Sequence, residues 1–433
     1  MSTPLSARIV EEYASAVRAH ASAPDGPRHA AIEALAAKGL PSSRDENWKY
    51  ANLRSLEGQR FVPATQAPPA NEAGASAPAN LAPEIPGYSR YVFIDGVFAP
   101  QLSAALAATP ARISSGAPRS PMRALGSDER FALLNQAFAT DGAAIHVPAG
   151  AAGAEARAQV ELVFVASAPA KAGASYPRIE LRLDSGADLA LIERHVSEGT
   201  EPSFVNSAVS VALERGAQLQ HYRLQQLNAR STLFDTLSAD LGERAVYRLH
   251  AINTGAQAAR STLALRLCGE GADLTLAVAT LGERQQVQDT YAIVEHAAPD
   301  SRTTQTFRGI AAGRARVAFN GKIVVSRTAR GTDTRQSLRG LLAGPEAEID
   351  LRPQLEIYTD EVRCSHGATA GKLDEDMLFY LLSRGLTPDA AQRLLKWAFL
   401  EDVIAQMGLP PLRRQVEEHL AEHLRDHTLR ELL

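Results

Sequence analysis

A cysteine and a histidine two positions apart are the residues in this sequence best suited to metal chemistry. Cys364 and His366 follow a stretch, residues 355–363, in which apolar and polar side chains alternate in the manner of a β-strand. If the strand continues, both side chains project from the same face. Thiolate and imidazole are ligands that suit iron, zinc and copper, so the pair could form half of a metal site. The remaining ligands would have to come from another element or another chain.

Two other interpretations of this pair stay open. It could be an ordinary edge-strand pair beside the turn that Gly367 allows. It could also be a nucleophile and its base, although no oxyanion hole or third, orienting residue can be recognised nearby. The other cysteine, Cys268, ends an alternating apolar strand and is predicted to be a small buried hydrophobe.

Three histidines near the end of the chain recur every four residues. His419, His423 and His427 would line one face of a helix, a spacing that is compatible with metal binding. Acidic residues surround them and the helix is terminal, so a solvated polar face is the preferred interpretation.

The stretch before Cys364 contains an internal repeat that could hold the pair in place. A short motif with Gly-Ala and flanking leucines occupies residues 183–189 and 213–219, is weaker at 242–246, and returns at 269–274. Early copies lie about 30 residues apart, a period typical of stacked solenoid coils. Apolar residues alternate beside each copy, and stacked coils share one interior. We therefore predict a β-helix, with a β-sandwich as the alternative.

Composition and helical periodicity divide the rest of the chain. The predicted regions are an N-terminal helical region over 1–61, a flexible linker over 62–87, a mixed α/β connecting region over 88–143, the β-helix core over 144–370 and a C-terminal helical domain over 371–433. In the C-terminal domain, the helix that Thr387-Pro388 begins is apolar on more than one side. We expect it to pack on two sides, one of them against a partner protein.

Overall composition excludes several classes of function. The net charge of −4 provides no basic surface for nucleic acid. No apolar stretch approaches the roughly 18 residues of a membrane helix, and no signal peptide is recognisable. Two cysteines in 433 residues indicate a reducing compartment, so the protein is expected in the cytoplasm. Neither Gly-Lys pair has the flanking residues of a phosphate-binding loop, so any nucleotide hydrolysis must come from a partner.

Several segments resemble the SufB/SufD superfamily, the scaffold proteins of the SUF iron–sulfur cluster assembly system. The matching segments are Glu46-Asn47-Trp48-Lys49-Tyr50, Arg308-Gly309-Ile310, Phe319-Asn320-Gly321-Lys322-Ile323, Cys364-Ser365-His366-Gly367-Ala368-Thr369, Leu373-Asp374-Glu375-Asp376-Met377-Leu378-Phe379-Tyr380-Leu381 and Ser383-Arg384-Gly385. Where the SufB branch looks like Glu-His-Glu-Ala-Thr, this chain has Ser365 and Gly367 in place of the glutamates. That difference, and the lack of a cysteine-rich segment, favours the SufD branch.

The resemblance implies a mainly β fold: a right-handed parallel β-helix flanked by N-terminal and C-terminal α-helical regions. It implies a heterodimer with SufB that docks on the SufC ATPase. For the isolated chain, a homodimer is the alternative. His366 and Cys364 map onto the cluster-assembly site at the SufB interface. The implied cofactor is a transient iron–sulfur cluster or iron at that interface, and none is expected on the isolated chain.

The segment after Gly371 maps onto the SufC-docking domain. Four large apolar residues surround one of its helices too broadly for a single contact: Trp397, Phe399, Leu400 and Ile404. We predict that one side of this helix, near Trp397, is the ATPase-docking surface, where an aromatic anchor dominates the binding energy.

Three functions compete at this stage. The first is a non-enzymatic assembly scaffold whose ligands complete a site shared with a partner. The second is a pure adaptor, in which Cys364 and His366 have no ligand role. The third is a carbohydrate-active β-helix enzyme, which would need carboxylates in register along one solenoid face. The corresponding repeat positions hold Asp188, Gln218, Tyr247 and Asp273, which share no chemistry.

Overall fold

The computed structural model describes residues 5–19, 26–42, 44–61, 81–104, 110–116, 128–150, 157–167 and 173–424. Most of the predicted linker, namely residues 62–80, and also His427 lie outside the described residues. Strands dominate the described part of the chain, and α-helices lie before, within and after them.

The strands are numbered in chain order. They are β1 Ser89–Ile94, β2 Val97–Phe98, β3 Arg112–Ser115, β4 Gly142–Val147, β5 Ala158–Ala166, β6 Gly173–Ser175, β7 Arg178–Leu183, β8 Asp188–Ser197, β9 Ser203–Val205, β10 Ala208–Leu213, β11 Gln218–Leu227, β12 Thr232–Leu241, β13 Val246–Gly255, β14 Ala258–Leu267, β15 Asp273–Gly282, β16 Val287–His296, β17 Arg302–Ala312, β18 Arg316–Val325, β19 Thr332–Ala343, β20 Glu348–Ile357 and β21 Val362–Gly371.

These strands form two long sheets, and each coil of the chain gives one strand to each sheet. The first sheet runs β2-β1-β5-β8-β11-β13-β15-β17-β19-β21, and the second runs β20-β18-β16-β14-β12-β10-β7-β4-β3. Apart from the β1–β2 and β3–β4 pairs, neighbouring strands in these two series are parallel. Parallel neighbours that lie one coil apart define a parallel β-solenoid. The prediction of a β-helix is confirmed, and the β-sandwich is excluded.

Alternate side chains of the two sheets meet in one continuous apolar interior. Leu265 of β14 and Leu276 of β15 are fully buried in it, with leucine, isoleucine and valine from most other coils. Because successive strand residues point to opposite faces, this core explains the alternation seen in the sequence. The first two strands of the first sheet, β2 and β1, lie within the segment predicted as a connecting region.

The repeated Gly-Ala motif lies at the turns between strands. Gly186, Gly216 and Gly271 all have positive φ, at 72°, 65° and 68°. Glycine adopts this left-handed conformation without the steric cost that other residues meet. In the weak copy at 242–246, Arg244 takes the same conformation with φ at 51°. The repeat is therefore a turn signal, which explains its spacing of one coil.

An N-terminal group of helices packs against the outer face of the second sheet. It consists of α1 Leu5–Ala19, α2 Gly26–Lys38, α3 Arg130–Phe138 and two short 3-10 helices, Glu46–Trp48 and Leu53–Leu56. A third 3-10 helix, Pro100–Leu102, packs beside β1 of the first sheet instead. Trp48 is buried between Phe131 and Phe234, and the Arg260 guanidinium carbon lies 4.5 Å from its ring centroid. Its indole N–H donates to Asp128 at 2.8 Å. Trp48 thus joins the helical group to the solenoid.

The C-terminal helices are α4 Glu375–Ser383, α5 Pro388–Ile404 and α6 Pro410–His423. Asp374 caps α4 and Thr387 caps α5, as the sequence indicates. Helices α5 and α6 cover the outer face of the first sheet in a second apolar core. Arg308, in one of the matching segments, donates to Asp402 of α5 at 2.8 Å and so ties this helix to β17.

No helix within the described ranges has the length and apolarity needed to cross a membrane. The prediction that Cys268 is a small buried hydrophobe is wrong. Its side chain is exposed, and its Sγ lies 3.5 Å from Asp240 Oδ1. It follows the last residue of β14, Leu267, which faces the interior. The next position therefore points outward.

Candidate functional site

The solenoid has an open end formed by β20 and β21. Each is the last strand of its sheet, and within the described residues each pairs on one side only, with β18 and with β19. Neither strand has a buried residue, and Ser365 to Ala370 are all exposed. An unpaired edge ten residues long presents a row of free backbone donors and acceptors, which is a template for pairing with another strand.

Cys364 and His366 both lie on the edge strand β21, as predicted. Cys364 is in register with Thr334 of β19, and His366 with Gln336. Thr334 and Gln336 are buried in the solenoid interior, and Cys364 packs partly against the same apolar core. The pair therefore sits on the inward face of the last coil, where the absence of a further described coil leaves His366 exposed.

The surroundings of Cys364 disfavour its thiolate. Partial burial, and then the nearby carboxylate of Asp333, raise the pKa of the thiol above its ordinary value. The thiolate is the form that binds metal. In the isolated chain Cys364 is thus a poorer ligand than a free cysteine, whereas His366 is open to a partner.

Polar side chains from two matching segments support the neighbouring edge strand β20. Lys322 makes an ion pair with Glu356 at 2.7 Å, and Gln354 donates to Asn320 at 3.0 Å. Glu46, from the segment that contains Trp48, accepts from Arg352. Three distant parts of the sequence therefore meet at the open end.

Within the described residues, no three His, Cys, Asp or Glu side chains are arranged to hold a metal ion. A stable zinc or cluster site normally takes four ligands. Cys364 and His366 can thus supply only part of such a site.

Helix α4 forms a second exposed surface next to the open end. It has no buried residue, and Phe379 is 72% exposed, beside exposed Met377 and Tyr380. Two further apolar side chains at the end of β20, Ile357 and Tyr358, are also exposed. A group of large apolar side chains in solvent is typical of a protein-interaction surface.

The four residues predicted to dock a partner lie in or against an internal core instead of on a docking surface. Trp397 is 8% exposed, and Leu400 and Ile404 are buried in the core between α5, α6 and the first sheet. Phe399 is half-buried and packs on the same core. The broad apolar surface of α5 is used within the chain, because the sheet and neighbouring helices cover it. Trp397, Leu400 and Ile404 are not available at the surface as anchors.

The histidines of α6 also differ from their prediction. His419 shares a hydrogen bond of 2.9 Å with the Thr254 hydroxyl on β13, and His423 lies 3.0 Å from Glu283. Their face is therefore a docking face against the solenoid rather than a solvated one. His427 lies outside the described residues.

The burial of His419 predicts an acid-sensitive attachment of α6. Burial, with the positive charges of His423 and Arg194, lowers the pKa of His419 from 6.5 to about 3. The unfolded chain takes up this proton below pH 6.5, whereas the folded chain does so only near pH 3. Stability should therefore fall as the pH drops through this window. We expect thermal unfolding of His419→Gln to depend less on pH there than that of the wild type. Parallel pH profiles would contradict this.

The solenoid surface shows no series of matched carboxylates at the predicted repeat positions. The strand register aligns Asp188, Gln218, Val246 and Asp273, so Val246 rather than Tyr247 occupies the third position. The column still lacks a shared chemistry, which argues against a carbohydrate-active site there.

Comparison with known proteins connects this fold to iron–sulfur cluster assembly. The family described as "SUF system FeS cluster assembly, SufBD core domain" matches residues 164–399, more than half of the chain. The chain therefore belongs to the SufBD family.

Several members of this family are similar over much of the chain. The iron–sulfur cluster assembly protein SufD of Escherichia coli is 30% identical over 401 residues, which cover 93% of each chain. A SufBD family protein of Synechocystis is 28% identical over 410 residues, covering 90% of this chain and 89% of the relative. A Mycobacterium tuberculosis member is 26% identical over 264 residues, covering 59% and 66%.

Proposed function

We propose that this chain is a non-catalytic scaffold subunit of the SUF system that builds iron–sulfur clusters with partner chains. It pairs through its open end with a SufB-type solenoid, and in isolation the same edges allow a homodimer. His366 and Cys364 contribute ligands to a transient cluster at this interface. The observation that carries the proposal is the position of both residues on an unpaired edge strand, next to where a partner strand would add.

His366 is the principal ligand in this proposal. Its side chain is exposed, whereas Cys364 is half-buried and its pKa is raised. A partner chain must supply the other thiolate or carboxylate ligands. The cluster is cargo of the complex, so the isolated chain should bind iron weakly or not at all. Neither Cys268 nor Cys364 forms a disulfide in the described structure, which fits a reducing cytoplasmic setting for such chemistry.

The C-terminal helices dock a SufC-type ATPase in this proposal, and helix α4 provides the anchor. Phe379, Met377 and Tyr380 offer large apolar side chains that no described element covers. A few residues, often large and aromatic, carry most of the binding energy at a protein interface. We therefore propose the exposed face of α4 as the docking surface, in place of the residues near Trp397 that the sequence indicated.

A pair of variants separates this docking surface from the core behind it. Phe379→Ala removes an exposed side chain, so the melting temperature should stay the same while ATPase affinity falls by about tenfold or more. Trp397→Ala opens a cavity in the core, which should cost about 3 to 5 kcal/mol of stability. Titration calorimetry with the SufC-type ATPase and thermal unfolding are the measurements. Unchanged ATPase affinity of Phe379→Ala would exclude α4 as the anchor.

The pure adaptor remains the second candidate function, in which the chain binds partners but contributes no ligand. Co-expression with SufB- and SufC-type chains should yield a complex under both functions. Cluster formation on the complex of the His366→Ala variant distinguishes them, because only the scaffold with a ligand role loses clusters.

A further inference from the structure

A column of polar side chains runs through the solenoid interior directly beneath His366. Gln305 of β17, Gln336 of β19 and His366 of β21 occupy one register line on three successive coils. Gln305 and Gln336 are 1% and 3% exposed. Earlier coils place Leu276 and Leu249 on the same line. One coil before Leu249 the line holds buried His221, so the two amides and His366 form a separate polar run at the open end.

The side-chain N–H group of Gln336 already donates to two acceptors. Its Nε2 donates to Gln305 Oε1 at 2.8 Å and to the backbone oxygen of Gly321 at 3.3 Å. The backbone oxygen of Gly321 can only accept, so this contact assigns the nitrogen and oxygen of the Gln336 amide. A Cβ on Gly321 would lie 2.3 Å from that Nε2, so the glycine in the matching segment 319–323 leaves the space that Gln336 occupies.

The amide oxygen of Gln336 is left without a partner. It is buried, and no described residue, His366 included, donates a hydrogen bond to it. A buried acceptor without a donor is costly, and such groups are rare in folded proteins. Its upper neighbour in the column is the exposed ring of His366, one strand spacing away. The Gln336–Gln305 bond spans the same spacing, so side chains on this line can reach each other.

We propose that Gln336 is a positioning residue for His366: its amide oxygen accepts the N–H of the imidazole and fixes which ring nitrogen keeps its lone pair. In this proposal the exposed ring turns toward the amide to make the bond. A ring nitrogen that donates inward leaves the other nitrogen as the ligand toward the partner chain. Histidines that bind metals are commonly oriented by such an acceptor. The significance for cluster assembly rests on the proposed ligand role of His366, but the hydrogen bond itself does not.

The test is the tautomer ratio of His366 in the full-length chain, measured by NMR with ¹⁵N-labelled histidine at a pH where the ring is neutral. The His366→Ala spectrum assigns the signals. Gln336→Met keeps the volume of the side chain and removes the acceptor, so the ratio should change by about fivefold or more. Gly321→Ala, which displaces the Gln336 amide without removing it, should move the ratio in the same direction.

Gln288→Met is the matched control. Gln288 is another buried interior glutamine, on β16, and its amide donates to the backbone oxygen of Gly255 rather than toward His366. This variant should leave the His366 ratio at its wild-type value. An unchanged ratio in folded Gln336→Met would overturn the inference. This is the result expected if a water molecule, rather than the ring, donates to the amide oxygen. This result does not depend on clusters, so it is separate from any failure of the proposed ligand role.

Discussion

Replacing Leu265 with Asp is expected to abolish cooperative folding of the solenoid. Leu265 is fully buried where β14 faces the shared interior, and Leu276 on β15 is buried in the same core. A carboxylate without a partner at either position costs about 3 to 5 kcal/mol, a large part of the stability of a typical domain. Each coil can bury its apolar face only against its neighbours, so damage in the middle of the stack spreads to both sides.

Circular dichroism and calorimetry on Leu265→Asp and Leu276→Asp measure this effect. Ala212→Asp is the control, because Ala212 lies on β10 but is exposed on the outer face. It should unfold near the wild-type temperature. A wild-type transition in both leucine variants would mean that the interior tolerates a charge, and the shared core would not be what holds the coils together.

The repeat and the alternation favoured a β-helix, although they left a β-sandwich as the alternative. Turn glycines such as Gly186 and Gly216 mark one corner of each coil, and alternating leucines mark the inward face. Both signals are local, since they depend on backbone conformation and on which face of a strand a residue occupies. A solenoid repeats the same local arrangement, so local signals determine most of its fold.

Contacts between distant elements could not be predicted in this way. The sequence shows that α5 is apolar on several sides, but not that the first sheet and neighbouring helices cover Trp397 and Leu400. It shows the His419 and His423 spacing, but not that Thr254 and Glu283 face them. These pairings depend on how the chain returns to the solenoid after the last coil, which side-chain periodicity does not encode.

The candidate site was predictable in its residues and not in its surroundings. Cys364 and His366 were identified from their types and from their spacing on a strand. Their position at an open end requires knowing that no further described coil follows β21. The amide of Gln336 lies 30 residues earlier in sequence than His366, and the lengths of the intervening turns set its register. The presence of a glutamine in an alternating strand does not indicate that it will lie next to His366.

Replacing His366 with Ala is expected to reduce cluster formation strongly while the complex still assembles. His366 is exposed on the edge strand, so its loss leaves no cavity and breaks no described contact in the core. If it is a ligand, the shared site loses one of about four donors, and cluster yield should fall by about tenfold or more. The measurement is iron and sulfide content, with the visible absorption, of the reconstituted complex with its SufB- and SufC-type partners.

Ser365→Ala is the matched control for the same strand. Ser365 is the exposed neighbour of His366 and points to the opposite face of β21, so its loss should leave both assembly and cluster yield unchanged. Cys364→Ala should have a smaller effect than His366→Ala, because burial already disfavours the thiolate. Size-exclusion chromatography checks assembly separately for every variant. Wild-type cluster yield from an intact His366→Ala complex would make the pair structural and leave the chain as an adaptor. A loss confined to His366→Ala and Cys364→Ala would instead place the chemistry on the inward face of the last coil.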